Sequence, residues 1–281
     1  MERKQPETWR EKRCGRIIWL WPFLWIEWLC EWAVYRLGHW AFLEILEYAG
    51  RFTVLVAVIL YFMSADERQK EKHYQAWQVI NLAQGKPGSG GRIDALEELN
   101  RDKVTLEGVN LSGAWLREVK LPEALLNGAD LSDTDLVKAD LSYAEMHSAK
   151  IQGANISKAK LYEVCLKKAD LTWANLEETN LSNTILDGAN LTRANLQNAN
   201  LRSASLRGAR FMFADIKGAD ITGADLRGAD FKVKELDSNQ LSKACWDEDT
   251  KFPNAYIKPP DLKSHGCPSG ENVARRKACR G

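Results

Sequence analysis

An apolar residue recurs at every fifth position over nearly half of this 281-residue chain. From Leu106 to Phe231 the period holds for 26 positions without a slip, and 19 of these residues are Leu. An α-helix turns about 100° per residue, so this period would scatter the leucines around its axis. A strand would place alternate leucines on opposite faces. The chain must therefore turn once per repeat and point every central residue inward, which indicates a solenoid.

The residues on either side of each central residue follow the same period. Two positions earlier the side chain is always small, with Ala at 19 positions, Val at four and Thr at three. The residue just before the centre is Asp or Asn in 15 of the 26 units, as in Ala194-Asn195-Leu196. Small side chains suit a backbone that passes close to the core, and Asp and Asn tolerate turn conformations.

Tandem Ala-(Asp/Asn)-Leu-x-x units resemble the pentapeptide-repeat family, over about residues 104–233. The resemblance implies an all-β fold, a right-handed quadrilateral β-solenoid with four units per coil. The units then form about 6.5 coils, stacked to a height of roughly 31 Å at ~4.8 Å per coil. The segment from His73 through Leu106 is similar to the one that precedes the repeats in membrane-anchored bacterial members.

Both open ends of a solenoid must be covered, because exposed edges promote aggregation. Residues 66–83 predict an amphipathic helix with Tyr74, Trp77 and Ile80 near one face, and residues 92–101 predict a second helix. At the other end, Asp237 and Gln240 have capping-box spacing for a helix through about Ala244.

The sequence thus predicts five regions. They are a helical membrane-associated region (1–65), a helical linker and N-terminal cap (66–103), the solenoid (104–233), a C-terminal cap (234–257) and a disordered tail (258–281).

Two apolar segments predict membrane attachment of the N-terminal region. Residues 17–35 carry a helical stripe of Trp beside Glu27 and Glu31, and either lie in the interface or span the bilayer. Phe52 to Met63 contains 12 residues without charge, fewer than the ~20 of a spanning helix. Extension back to Leu46 gives 18 residues but includes Glu47 and Arg51. A buried helix of a soluble protein is the alternative for this second segment.

Charge sets the expected topology. Residues 1–16 hold six Lys and Arg, which predicts a cytoplasmic N-terminus. Two spans would keep the solenoid in the cytoplasm, which we favour, and one span would place it outside. The resemblance implies the bacterial inner membrane. The six cysteines show no CxxC spacing, so we expect reduced thiols, with a Cys267–Cys279 pair as the alternative.

Residues for catalysis or metal binding are not grouped in the sequence. The four His share no metal-ligand spacing, and the abundant Asp are explained as turn residues. We therefore expect no enzyme activity, no metal and no cofactor. The oligomeric state remains open.

One outward column of the solenoid predicts a docking surface for a protein partner. Positions 20 apart stack on one face, which brings together Trp173, Arg193 and Phe213, with Met212 beside them. The guanidinium between two rings predicts a cation–π ladder. A ladder that only stabilises the stacking of the coils is the alternative, and Tyr143 with Tyr162 forms a rival patch.

Two functions remain in view. The first is a membrane-tethered scaffold that presents the rigid solenoid to a protein. The second, implied by the family, is a DNA-mimicking modulator of a type II topoisomerase. Mimicry needs an acidic column, whereas residues 104–233 hold 17 acidic and 15 basic residues, so we expect no nucleic-acid partner.

Overall fold

The structure is a computed structural model and describes residues 21–38, 41–83, 88–234, 238–253 and 279. It divides into two compact units, Met1–Lys70 and Glu71–Gly281. The predicted positive charge of residues 1–16 and most of the tail lie outside the described residues.

Helices make up the described part of the first unit. Helix α1 spans Trp21–Gly38 and α2 spans Ala41–Met63. Helix α3, Ala65–Leu82, begins in the first unit and ends in the second. The predicted Trp stripe lies on α1, where the ring centroids of Trp28 and Trp32 are 6.2 Å apart. Arg68 lies over the ring of Tyr61, with its Cζ atom 4.1 Å from the centroid.

Most apolar side chains of α2 from Tyr48 to Met63 are exposed, on all sides of the helix. Phe52 is 66% exposed, Leu55 56%, Ile59 48% and Phe62 70%. Among the described helices, none is by itself long and apolar enough to cross a membrane. One bent pair, Tyr48–Met63 with Ala65–Leu82, meets that condition by length and composition.

The second unit is built on coils of 20 residues. Parallel β-bridges join residues 20 apart, as in Asn110 to Asp130 and Asn155 to Asn175, and four such bridges lie in each coil. These isolated bridges are the β-structure of the solenoid, and extended strands are absent from the described coils. The physical reason is the period itself, because a chain that turns every five residues leaves one residue per unit to pair.

Each turn is made by the second residue after the central residue, here called the turn position. Its φ is positive in one unit after another, for example 66° at Gly153 and 63° at Trp173. Because glycine adopts this left-handed conformation without steric cost, it occupies many turn positions. Side chains at the turn position point away from the core.

The core consists of the central residues together with the small residues two positions earlier. Leu171 and Ala174 are fully buried, as are Leu191 and Ala194 on the next coil. Phe211 and Phe231 replace Leu near the C-terminal end, where their ring centroids are 4.9 Å apart. The predicted inward direction of the central residue is therefore confirmed.

Backbone hydrogen bonds join every coil to the next. The Leu171 amide donates to the Asn190 carbonyl at 2.8 Å, and the Trp173 amide donates to the Thr192 carbonyl at 3.0 Å. Asn side chains add a second ladder on one face, where Asn195 Nδ2 donates to Asn175 Oδ1 at 3.0 Å. With so many bonds between neighbouring coils, the column has little freedom to bend.

Helix α4, Arg92–Arg101, covers the first coil. Its Leu96 and Leu99 are fully buried, and Ile80 of α3 joins the same core. Trp77 packs against this core, but Tyr74 is 60% exposed, so its predicted place on the buried face is wrong. The small residue Ala76 is buried in this core instead.

At the other end the bridges continue past the last repeat. Asp225 pairs with Cys245, and Asp230 pairs with Lys251. Helix α5, Ser238–Leu241, is one turn long and ends before the predicted Ala244, while Asp237 lies outside the described residues. Trp246 is buried and packs edge-on against Phe252, so an aromatic pair helps to close this end.

Candidate functional site

The candidate site is the column of turn positions on the face that contains Leu171. Trp173, Arg193 and Phe213 occupy this column on three successive coils, and we call them the aromatic ladder. The Cζ atom of Arg193 lies 4.5 Å from the centroid of the Trp173 ring and 5.8 Å from that of Phe213. The predicted stacking is therefore present, with the guanidinium closer to Trp173.

The aromatic ladder is open to solvent. Trp173 is 60% exposed and Phe213 54%, while Met212, the residue before Phe213, is 39% exposed. A guanidinium over an aromatic face contributes about 0.5–1 kcal/mol at an exposed site. This is a small contribution to the stability of a column that backbone hydrogen bonds already hold together.

The backbone does not favour large side chains at these positions. Trp173, Arg193 and Phe213 have φ values of 63°, 60° and 59°, in the left-handed region. A residue with a Cβ atom costs roughly 1–2 kcal/mol in this conformation, which glycine avoids. Gly113 and Gly153 hold the same turn position on earlier coils. Charged residues such as Lys138 and Glu178 hold the same conformation at other turn positions, so the backbone alone does not distinguish the aromatic ladder.

The rival patch of two tyrosines lies on a different face. The ring centroids of Tyr143 and Tyr162 are 5.4 Å apart in an edge-on arrangement, and Tyr143 is 50% exposed. A hydrogen bond with the Glu163 carboxylate, and burial to a smaller extent, raise the pKa of the Tyr162 hydroxyl. This patch lacks a stacked cation among its rings, in contrast to the aromatic ladder.

Acidic residues of the solenoid face basic ones across the coils. Arg117 contacts Asp135 at 3.0 Å, and Arg202 contacts Asp220 at 3.0 Å. Asp225 contacts two basic residues, Arg207 and Arg227. Burial alone would raise its pKa, but hydrogen bonds from Arg227 and Arg207 lower the pKa to about 2. Such pairing leaves little uncompensated negative charge on the column.

Grouped His, Cys, Asp or Glu residues that could hold a metal ion are absent from the described part of the chain. His73 Nε2 lies 2.6 Å from Asp102 Oδ2, between α3 and the end of α4, and this contact belongs to the cap. His147 lies on the solenoid, far along the sequence from both. The structure brings none of these histidines together.

Two cysteines of the solenoid are oxidised, which corrects the expectation of reduced thiols. Cys165 is bonded to Cys279, 114 residues later, and Cys245 is also in a disulfide. The alternative pairing of Cys267 with Cys279 is therefore wrong. Spacing along the chain did not reveal this, because the two bonded cysteines are 114 residues apart.

Comparison with known proteins bears on the repeat. The model of the family described as pentapeptide repeats matches in 8 copies, over residues 105–142, 129–167, 169–208 and 194–232. This chain belongs to the pentapeptide repeat family. The predicted family is thereby confirmed, and β-solenoid architecture follows from it. No curated protein sequence matches this pentapeptide repeat protein.

Several solved pentapeptide repeat proteins are similar to it. One from the cyanobacterium Cyanothece 51142 is 36% identical, over 37% of this chain and 63% of that one, with a TM-score of 0.22. One from the thylakoid lumen of Arabidopsis thaliana is 34% identical, over 42% and 74% of the two chains, with a TM-score of 0.18. HetL from Nostoc, described as involved in heterocyst differentiation regulation, is 27% identical over 45% and 86%, with a TM-score of 0.16.

Proposed function

We propose that this pentapeptide repeat protein is a membrane-tethered scaffold, which presents its rigid solenoid to a protein partner. The observation that carries the proposal is the combination of an exposed apolar helix in one unit with a stiff repeat column in the other. Neither unit carries a recognisable catalytic centre in its described residues. The proposal therefore assigns binding, and not catalysis, to the protein.

The tether is helix α2. Its apolar side chains from Phe52 to Met63 are exposed on all sides of the helix, and water solvates such a surface poorly. A helix that is apolar all round needs an apolar environment around it, and a lipid bilayer supplies one. The aromatic residues of α1 suit the interface between lipid and water.

The solenoid supplies a pre-organised surface. Backbone hydrogen bonds of 2.7–3.4 Å recur along every coil between Leu106 and Phe231. A surface that is already rigid loses little conformational entropy when a partner binds. Side chains at the turn positions project from this frame at fixed spacing, so a row of them is a ready contact surface.

The aromatic ladder is the part of this surface that we assign to the partner. Trp and Arg are enriched among the residues that contribute most to binding at protein interfaces. Here Trp173 and Arg193 are exposed and stacked, with Phe213 and Met212 adjacent. A protein partner would bury this exposed group of side chains.

Modulation of a type II topoisomerase by DNA mimicry finds no support in the charges. Residues 104–233 carry a net charge of −2, and ion pairs such as Arg207 with Asp225 divide the acidic groups among basic neighbours. A mimic of DNA needs a continuous negative surface. The scaffold is therefore the function that we propose.

The test is recovery of the partner from native membranes by cross-linking and affinity capture. The variant carries Trp173→Gly with Phe213→Gly, because glycine fits the turn position without strain. We expect the melting temperature to stay within a few degrees of the wild type, and the cross-linked partner to be lost. Tyr143→Gly is the matched control, since Tyr143 is an exposed aromatic residue with a φ of 65°. It should retain the partner.

Two results would contradict the docking role. If the double variant recovers the partner as well as the wild type, the aromatic ladder is not the docking surface. If its melting temperature falls strongly while the partner is retained, the aromatic ladder stabilises the coils instead.

A further inference from the structure

Cys165 is unusually buried for the bridge position, which is the residue just before each central residue. The side chain at the bridge position points outward, and in units from Thr105 to Asp230 it is partly or largely exposed at every described position except Cys165. Cys165 is 3% exposed, and Cys245, farther along the same column, is 4% exposed. Small size does not account for this, because Ser205 lies between them in that column and remains partly exposed.

Disulfides account for the burial of both cysteines. Cys165 is bonded to Cys279, with the two Cα atoms 5.7 Å apart, a normal separation for a disulfide. Cys245 is also disulfide-bonded, whereas Cys30 is free. One column of the solenoid thus carries two disulfides, four coils apart. At ~4.8 Å per coil, they are separated by roughly 19 Å.

The disulfide fixes Cys279 at Cys165, in the middle of the solenoid. No second protein is needed to explain what lies against Cys165, because the chain's own residue does so.

We propose that the solenoid resides in an oxidising compartment, where a disulfide fastens Cys279 to Cys165 on the outward side of the solenoid. Reduction of this disulfide releases Cys279 from that side. Reducing compartments keep thiols free, whereas disulfides persist in the periplasm, organelle lumens and the exterior. The earlier preference for a cytoplasmic solenoid is not compatible with this proposal.

The chemistry is thiol–disulfide exchange. Each bridge forms when two thiols lose two protons and two electrons to a protein disulfide, which is reduced to a dithiol. Release is the reverse reaction, in which a dithiol reductant attacks one sulfur, forms a mixed disulfide and is itself oxidised as the second sulfur leaves as a thiolate.

The first experiment maps the disulfides of the full chain. Free thiols are alkylated at lysis of the native cells, and the protein is purified without reductant and digested for mass spectrometry. We expect a cross-linked peptide pair that contains Cys165 and Cys279, and an alkylated Cys30. Recovery of Cys165 and Cys279 as separate alkylated peptides would overturn the proposal.

The second experiment tests whether the bond to Cys279 protects Cys165. In full-length protein with Cys279→Ser, we expect alkylation of Cys165 to rise from undetectable to complete under native conditions. Cys245 is the matched control in the same column, and it should stay protected because its bridge is intact. If Cys165 of this variant stays as unreactive as in the wild type, the bond to Cys279 is not what protects it, and the proposal fails. Neither experiment depends on the membrane tether or on the aromatic ladder.

Discussion

At the scale of single residues, the repeat gives each side chain one of two environments. Central residues such as Leu171 are removed from water on all sides, whereas residues at the bridge and turn positions face outward. An outward residue can still be bonded, as in Asn175, which donates to Asn155 and accepts from Asn195. Consequences of substitution therefore depend on the position within the unit more than on the coil.

Leu171→Asp should unfold the column or prevent its accumulation, because a buried carboxylate without a partner costs several kcal/mol. Asn175→Ala removes two ladder hydrogen bonds, each worth about 1 kcal/mol, and should lower the free energy of unfolding by about 1–3 kcal/mol. Urea denaturation of both variants measures the difference. Equal losses would contradict the inward position of Leu171.

Asp225 should make stability depend on pH in an acidic window. Its pKa is about 2 in the folded chain, against 3.8 as the ordinary value. A depressed carboxyl pKa stabilises the fold above the unfolded value, and this stabilisation is lost as the pH falls from about 4 to about 2. The shift corresponds to about 2 kcal/mol.

The measurement is urea denaturation of the wild type and Asp225→Asn between pH 7 and pH 2. We expect the variant to be less stable at pH 7 by about 2 kcal/mol, and its stability to fall less at low pH. Asp130 accepts a hydrogen bond from the Ser132 amide. An Asn accepts the same bond elsewhere in the repeat, where Asn110 accepts from the Ser112 amide. Asp130→Asn is therefore the control. A variant profile parallel to that of the wild type would refute the role of Asp225.

At the scale of elements, the caps convert an open stack into a closed domain. Helix α4 places Leu96 and Leu99 against the first coil, and its Glu97 carboxylate accepts a hydrogen bond from the Lys120 amide at 2.9 Å. Asn100 Nδ2 donates to the Pro122 carbonyl at 3.0 Å. The helix thus covers the apolar surface of the first coil. It also forms hydrogen bonds with backbone groups of that coil, which a preceding coil would otherwise bond.

Leu99→Ala should therefore destabilise the whole solenoid. Removal of a fully buried Leu side chain costs about 2–5 kcal/mol. Leu82→Ala makes the same chemical change at a position that is 73% exposed, and it should alter the free energy of unfolding by less than about 0.5 kcal/mol. Thermal denaturation followed by circular dichroism compares the two. If both variants melt together, α4 is not part of the cooperative unit.

At the scale of the whole molecule, two regions of opposite surface character share one chain. The described face of α2 is apolar and exposed, whereas the solenoid presents a nearly neutral, polar surface on a closed core. The tether and the oxidising compartment that we propose are compatible only if the chain crosses the membrane an odd number of times when residues 1–16 lie in the cytoplasm.

The full chain should require detergent, while a fragment that begins at Asp66 should be soluble. The reason is that the exposed apolar side chains of α2 end at Met63. Fractionation of cells followed by high-salt and carbonate washes measures membrane attachment. If the full chain is washed into the soluble fraction, the tether is wrong, and the solenoid remains a free binding protein.

The sequence by itself determined that the chain turns once per unit and which residues are buried, because a strict five-residue period suits neither a helix nor a strand. The register of 20 residues came from the resemblance to the family, and it placed Trp173, Arg193 and Phe213 in one column. The sequence also determined that helices flank the repeat, although Tyr74 was assigned to the wrong face. Periodicity predicts a helix, but it does not show which of the apolar residues of that helix will pack against the core.

Only the tertiary structure decided which cysteines meet. Cys165 and Cys279 are 114 residues apart, and a contact at such a distance depends on the path of the whole chain. The tertiary structure likewise decided that burial and two guanidinium groups act together on Asp225, since Arg207 belongs to the neighbouring coil. The five-residue period determines the conformation of each unit. The bond between Cys165 and Cys279 and the contacts of Asp225 depend instead on which distant residues the folded chain brings together.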